Sequence, residues 1–168
     1  VVLDPVMAST SGARLLETSA LDALRMRLLP MATLVTPNLP EAELLIGERI
    51  EDVDAMHGAI DALRALGAKA VLLKGGHLPV EAARDEVVDL FADGDNVHPM
   101  SHARLKIDAH GTGCTLASAV AADLCLGRTL RDASIAATDY VHAALLRGYR
   151  PGRGDVLVLD HFGAAPNG

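Results

Sequence analysis

An α/β fold with a mostly parallel central sheet is predicted by three observations. Strand-like and helix-like segments alternate several times along the 168 residues. The strand segments lack polar alternation, as strands do when helices cover both faces of a parallel sheet. No internal repeat or low-complexity linker interrupts the chain, so residues 1–168 read as one domain, long enough to bury a real core.

The elements follow in order. VVLD is a short apolar strand that ends in a carboxylate and is stopped by Pro5. MASTSGARL is a loop rich in Ser, Thr and Gly. Thr18 or Ser19 is placed to cap a helix that carries Leu21, Leu24 and Leu28 on one face and ends before Pro30. ATLVTPN reads as a second strand, closed by Pro37 and Asn38. PEAELLIG is a short helix with Pro40 in its first turn and Gly47 beyond its end. Asp52 or Asp54 caps the next helix, where Met56, Ile60, Leu63 and Leu66 recur at helical spacing and Gly67 supplies the stop. KAVLLKGG is the clearest buried strand and runs into a Lys-Gly-Gly turn. DEVVDLFADGDNVHPM reads as two short strands around the turn DGDN. DAHGTGCTLASAVAADLCLG opens a long helix with Leu116, Val120, Ala121 and Leu124 on one face. A further helix covers roughly Leu130 to Leu146, and RPGRGDVLVLDHF offers a last strand.

Composition narrows the function classes. Half of the chain is apolar, and its aromatics are two Phe and two Tyr, so the core is built from Leu, Val, Ile and Ala. The formal charge is −7 with no basic cluster, which argues against nucleic acid as a partner. No apolar run approaches the about 20 residues of a membrane helix, so no membrane partner is expected. The first residues do not read as a signal peptide. The two cysteines, Cys114 and Cys125, lack CxxC spacing, and the histidines show no paired metal-binding spacing. That cysteine usage predicts a reduced, cytoplasmic protein. A strand at the very first residue, with no initiator Met, predicts a chain whose beginning lies outside this sequence.

In open parallel sheets, ligands bind beyond the carboxyl ends of the strands. Asp4, Asn38 and Lys74 stand at three such ends, and the glycine turn at Cys114 is a fourth polar element. In GTGC, small residues leave backbone N–H groups free to point at one spot, and the helix that starts there adds about half a positive charge. That combination suits a phosphate or a phosphoryl group in flight. It also favours thiolate, so Cys114 is a candidate general base or oxyanion neighbour. The plain alternative is a glycine-rich helix start with a small cysteine packed inside. Lys74 can reach a phosphate as a point charge, or snorkel at the surface. Asp4 and Glu41 suit Mg²⁺, which takes few carboxylates plus waters and phosphates. Each also suits a helix cap or a solvated acid, and Asn38 suits a turn after Pro37.

VVLDPVM, TPNLPEAELL, VLLKGGH and HGTGCTLASA, in this order, resemble the hydroxymethylpyrimidine and phosphomethylpyrimidine kinases of thiamine biosynthesis, in the ribokinase-like superfamily. The resemblance runs from Val1 to about Phe162, and HGTGCT separates these kinases from sugar kinases, which carry an aspartate where Cys114 stands. It implies a three-layer α/β/α fold and ATP-dependent phosphorylation of 4-amino-5-hydroxymethyl-2-methylpyrimidine, then of its monophosphate. Pyridoxal kinase-like activity and a non-catalytic nucleotide-binding remnant are the alternatives. Carried over by position, Cys114 is the catalytic base, and Gly111, Thr112, Gly113 and Cys114 form the anion hole. Lys74, Asn38 and Thr112 meet the nucleotide, while Asp4 and Glu41 meet Mg²⁺. The implied partners are a small pyrimidine substrate and, at full length, a second copy in a homodimer.

The departures matter too. Family members usually read NTHGTGC where this chain has DAHGTGC, so Asp108 adds a negative charge and Ala109 lacks a hydroxyl. GRGDVLVLDHF lacks the usual glycine-proline pattern. Family members carry roughly one hundred further residues before VVLDPVM, which keeps them within single-domain size. Those residues supply the rest of the sheet and most of the pyrimidine pocket, so this sequence reads as a partial domain.

Overall fold

The apolar run Ala70–Leu73 is buried along its whole length and forms the middle strand of a five-stranded sheet. The computed structural model describes residues 1–7, 16–78, 85–105, 107, 109–154 and 156–164. The loop expected over MASTSGARL falls largely outside them, as does Asp108. Two compact units follow one another along the chain, Val1–Ala103 and Arg104–Gly168.

In the first unit, β1 (Val2–Leu3), β2 (Leu34–Val35), β3 (Ala70–Leu73), β4 (Glu86–Asp93) and β5 (Asn96–Ala103) lie side by side in chain order. β1, β2 and β3 are parallel, in register through Val2↔Leu34 and Val35↔Val71. The expected parallel arrangement thus holds across the strands that end at Asp4, Asn38 and Lys74. The hairpin at DGDN adds two antiparallel pairings, β3 with β4 and β4 with β5. Its turn places Gly94 at φ 53°, the positive value that a type II′ turn needs at its first central residue. The two strands are longer than the sequence suggests, at eight residues each, because Glu86↔Ala103 through Asp93↔Asn96 pair without a break. Pro99 is tolerated in β5 because that strand is the sheet's edge.

The first helix differs from expectation. α1 (Thr18–Ala23) has Glu17 at its N-cap, with no side-chain cap, so neither Thr18 nor Ser19 plays that role. The helix then widens into a π-turn, Leu24–Leu28, and tightens into a 3₁₀ turn, Leu29–Met31, that contains Pro30. Leu29 N–H bonds back to Leu24 O across the wider turn. That extra residue moves the buried position from Leu28, which is exposed, to Leu29, which is fully buried. Pro30 is accommodated because the first turn of a 3₁₀ segment asks no N–H of it.

The other two helices start and stop where the sequence says. α2 (Leu39–Ile46) begins at Asn38 and ends at Gly47, which has φ 82°. α3 (Val53–Ala65) is capped by Asp52, whose side chain accepts the Ala55 N–H, so Asp52 rather than Asp54 is the cap. Met56, Ile60 and Leu63 are fully buried and join Leu29, Val35, Val71 and Leu73 in one core. Each such side chain contributes about 1.5–3 kcal/mol relative to exposure.

In the second unit, α4 (Thr112–Cys125) packs against α5 (Leu130–Leu146), and small residues let the helices approach: Ala117, Ala133 and Ala137 are all buried. Leu116 and Val120 of α4 are buried, while Ala121 and Leu124 are half-buried. Thr129 caps α5, accepting the Asp132 N–H at 3.1 Å. The expected last strand is reduced, among the described residues, to single bridges, Tyr149 with Val158 and Ala109 with Leu157. No helix among the described residues is long and apolar enough to cross a membrane.

Candidate active site

The carboxyl ends of β1, β2 and β3 bring four of the expected residues together. Asp4 follows β1, Asn38 follows β2, and Lys74 follows β3. Lys74 is held by its backbone as well as its side chain. Its N–H bonds Pro37 O at 2.9 Å, and it bridges to Asn38. Its Nζ lies 3.2 Å from Asp4 Oδ1, in an ion pair whose side chains are 16 % and 14 % exposed. At that depth the pair is screened far less than a surface bridge.

Asn38 and Glu41 form a reciprocal capping box at the start of α2. The Asn38 side chain accepts the Glu41 N–H at 2.9 Å, and Glu41 Oε2 accepts the Asn38 N–H at 2.8 Å. Asn38 and Glu41 are thus one structural unit. Glu41 is buried, and burial pushes its carboxyl above the usual glutamate range. The Asn38 N–H and the Lys74 charge pull it back, the Asp4 charge pushes it further up, and the Met7 N–H pulls it down.

A carboxyl raised in the native state holds its proton more tightly there than in the unfolded chain. Stability therefore falls as pH rises from the ordinary glutamate value through the raised native one, and levels off above it. Glu41→Gln removes this slope. In urea unfolding across that window, the variant is expected to gain on the parent as pH rises; parallel curves would mean that Glu41 has no raised native value.

Two further residues, absent from the sequence expectations, build this cluster. Thr36 is fully buried and donates its hydroxyl to Asp4 Oδ1 at 3.1 Å. Asp89 of β4 is buried and accepts the Gly75 N–H at 2.8 Å, fixing the Lys-Gly-Gly turn. A Cβ at Gly75 would overlap the Val88 carbonyl oxygen, so only glycine fits there. The one signal for Asp89 is a carboxylate inside the apolar run VVDLFA; for Thr36 it is a hydroxyl directly after a buried strand.

The other expected residues lie in the second unit. Gly111 is the N-cap of α4 at φ 83°, a left-handed conformation that favours glycine. It carries no side chain that could cap the first turn. Thr112, Gly113 and Cys114 make up that turn; Gly111 and Cys114 are exposed, and Thr112 and Gly113 half-buried. Neither Cys114 nor Cys125 is in a disulfide. Cys114 and Ser118 of α4, with Tyr140 of α5 and His161, line a cavity of about 610 Å³, within the size range of small-molecule sites. The Tyr140 hydroxyl donates to the His161 carbonyl at 3.1 Å.

The strand-end cluster holds one lysine and two carboxylates rather than a dedicated metal cage. No three His, Cys, Asp or Glu side chains group as metal ligands among the described residues. Two carboxylates, Asp4 and Glu41, beside a lysine fit Mg²⁺, which keeps waters and phosphate oxygens as its remaining ligands.

Comparison with known proteins places the chain among relatives. The sequence model of the phosphomethylpyrimidine kinase family matches residues 1–159. The hydroxymethylpyrimidine/phosphomethylpyrimidine kinase of Streptomyces coelicolor is 44 % identical over 95 % of this chain and 58 % of its own length. The thiamine biosynthesis bifunctional protein ThiED of Geobacter sulfurreducens is 46 % identical over 92 % of this chain and 31 % of its own. The chain therefore spans less than two thirds of these curated relatives. Among solved structures, the pyridoxal kinase of Staphylococcus aureus in complex with AMP-PCP superposes with a TM-score of 0.83 at 32 % identity, over 96 % of this chain and 57 % of that one.

Proposed function

The chain belongs to the phosphomethylpyrimidine kinase family, and from that membership we propose that it serves ATP-dependent phosphorylation of 4-amino-5-hydroxymethyl-2-methylpyrimidine and of its monophosphate. The observation that carries this is the cluster at the strand ends, where Asp4, Asn38, Glu41 and Lys74 are tied into one network. Lys74 meets the nucleotide phosphates as a point charge, with Asn38 and Thr112 as further nucleotide contacts. Asp4 and Glu41 hold Mg²⁺, which when bound neutralises charge on the phosphate oxygens. Gly111, Thr112, Gly113 and Cys114 present the α4 N-terminus to the transferring phosphoryl group. The Cys114 thiolate takes the proton of the attacking hydroxyl as the new O–P bond forms and the bond to the departing ADP breaks. One domain, a homodimer at full length and a cytoplasmic location belong to the same proposal.

Pyridoxal phosphorylation is the second reading, favoured by the likeness to the S. aureus pyridoxal kinase. Titration with MgADP, followed by turnover of the pyrimidine alcohol in excess pyridoxal, separates the two. We expect binding, and turnover that pyridoxal does not suppress. Suppression favours the second reading; binding without turnover leaves a nucleotide-binding module; absence of binding contradicts both kinase readings.

The two helix caps provide an internal control. Asn38→Ala and Asp52→Ala each remove an acceptor for a backbone N–H and should each cost about 1 kcal/mol. Only Asn38→Ala should also weaken MgADP binding. Urea midpoints with calorimetric titrations of both variants check this; equal binding by the two would detach the capping box from the site.

A further inference from the structure

Asp4 receives two hydrogen bonds on a single oxygen. Thr36 Oγ1 donates to Oδ1 at 3.1 Å and Lys74 Nζ donates to the same Oδ1 at 3.2 Å, so neither engages Oδ2. The two donors differ in kind. Lysine reaches Asp4 along a four-carbon stem that turns readily. Thr36 is fully buried and β-branched, stiff about its one side-chain torsion. Its backbone is pinned as well, since its N–H bonds Leu3 O at 2.9 Å. That same carbonyl lies 3.5 Å from the hydroxyl, at the limit of a hydrogen bond, so the one hydroxyl proton goes to the carboxylate. The rigid anchor of Asp4 is therefore Thr36, and Lys74 is the partner able to leave.

Building on the kinase reading above, we propose that Thr36 is a positioning residue that fixes the Asp4 carboxylate while Lys74 turns from it to a nucleotide phosphate. Without that hydroxyl, Asp4 is oriented, among the described residues, only by the group that must depart. Its carboxylate then loses its setting when Lys74 moves, and the Mg²⁺-dependent part of nucleotide binding is lost with it. Lys74 itself stays able to meet a phosphate.

The test compares Thr36→Val, which keeps the shape and removes the hydroxyl, with Thr36→Ser, which keeps the hydroxyl. Dissociation constants are measured by calorimetry for MgADP, and for ADP with the metal chelated. Thr36→Val should weaken MgADP binding about tenfold, in line with loss of a hydrogen bond to a charged group, and leave metal-free ADP within about twofold. Thr36→Ser should bind both forms within about twofold of the parent. Should Thr36→Val fail to fold, Thr36→Cys, a much weaker donor of similar shape, takes its place. A variant that binds MgADP like the parent overturns the proposal, as does equal weakening of both forms, which is what a merely structural role gives. If the unsubstituted chain binds neither form, the kinase reading falls instead. Crystal structures of Lys74→Ala with and without Thr36→Val then decide whether Thr36 orients Asp4: a carboxylate that turns from its place only in the double variant supports that role, and the same carboxylate position in both overturns it.

Discussion

Gly75→Ala should destabilise the protein by about 3–5 kcal/mol, combining overpacking with a broken buried hydrogen bond. The new Cβ falls on the Val88 carbonyl oxygen, a backbone atom of the sheet that cannot rotate aside. Moving the turn away withdraws the Gly75 N–H from Asp89, leaving a buried carboxylate short of a donor. Against a typical total of about 5–15 kcal/mol, such a loss is a large fraction. The melting temperature should drop by roughly 10 °C for a chain of this size. Gly76→Ala is the matched control, because among the described residues its Cβ would meet only Val87 Cγ1 at 3.9 Å, ordinary contact. It should change stability by about 0.5 kcal/mol or less. Equal melting temperatures for the two variants would show that β4 does not constrain the turn.

Cys114→Ala is the larger change in function. In the full-length protein, if Cys114 is the general base as proposed, its loss should lower turnover by about 10²–10⁴-fold. Cys114 is exposed in the first turn of α4, so the substitution should leave stability near that of the parent. MgADP affinity should also stay within about twofold, since the backbone N–H groups of the proposed anion hole are untouched. Steady-state turnover beside a nucleotide titration checks both halves. Unchanged turnover removes Cys114 from the proton transfer; lost nucleotide affinity would mean that its side chain, and not only its backbone N–H, meets the nucleotide.

Much of this was legible in the sequence because local chemistry decided it. Asp52 caps α3, Gly47 and Gly67 take positive φ at helix ends, and α5 spans Leu130–Leu146 as its pattern indicates. These signals need no knowledge of distant neighbours. The π-turn was not legible, since Leu28 and Leu29 are both apolar and either satisfies a helical stripe. Thr36 and Asp89 were missed for a different reason. Their partners are Asp4, 32 positions away, and Gly75, 14 positions away, and only the pairing of β1 with β2 and of β3 with β4 brings them into range. Sequence reading found the residues with chemistry of their own, such as Lys74 and Glu41. It did not find the residues that hold them.

The most direct measurement is product analysis. The full-length protein that carries this chain is incubated with MgATP and 4-amino-5-hydroxymethyl-2-methylpyrimidine, and the pyrimidine is examined by mass spectrometry while ADP is quantified. The predicted result is a phosphorylated pyrimidine formed mole for mole with ADP, at a rate lowered by orders of magnitude in Lys74→Ala and Cys114→Ala. MgATP bound or hydrolysed with the pyrimidine unmodified would contradict it.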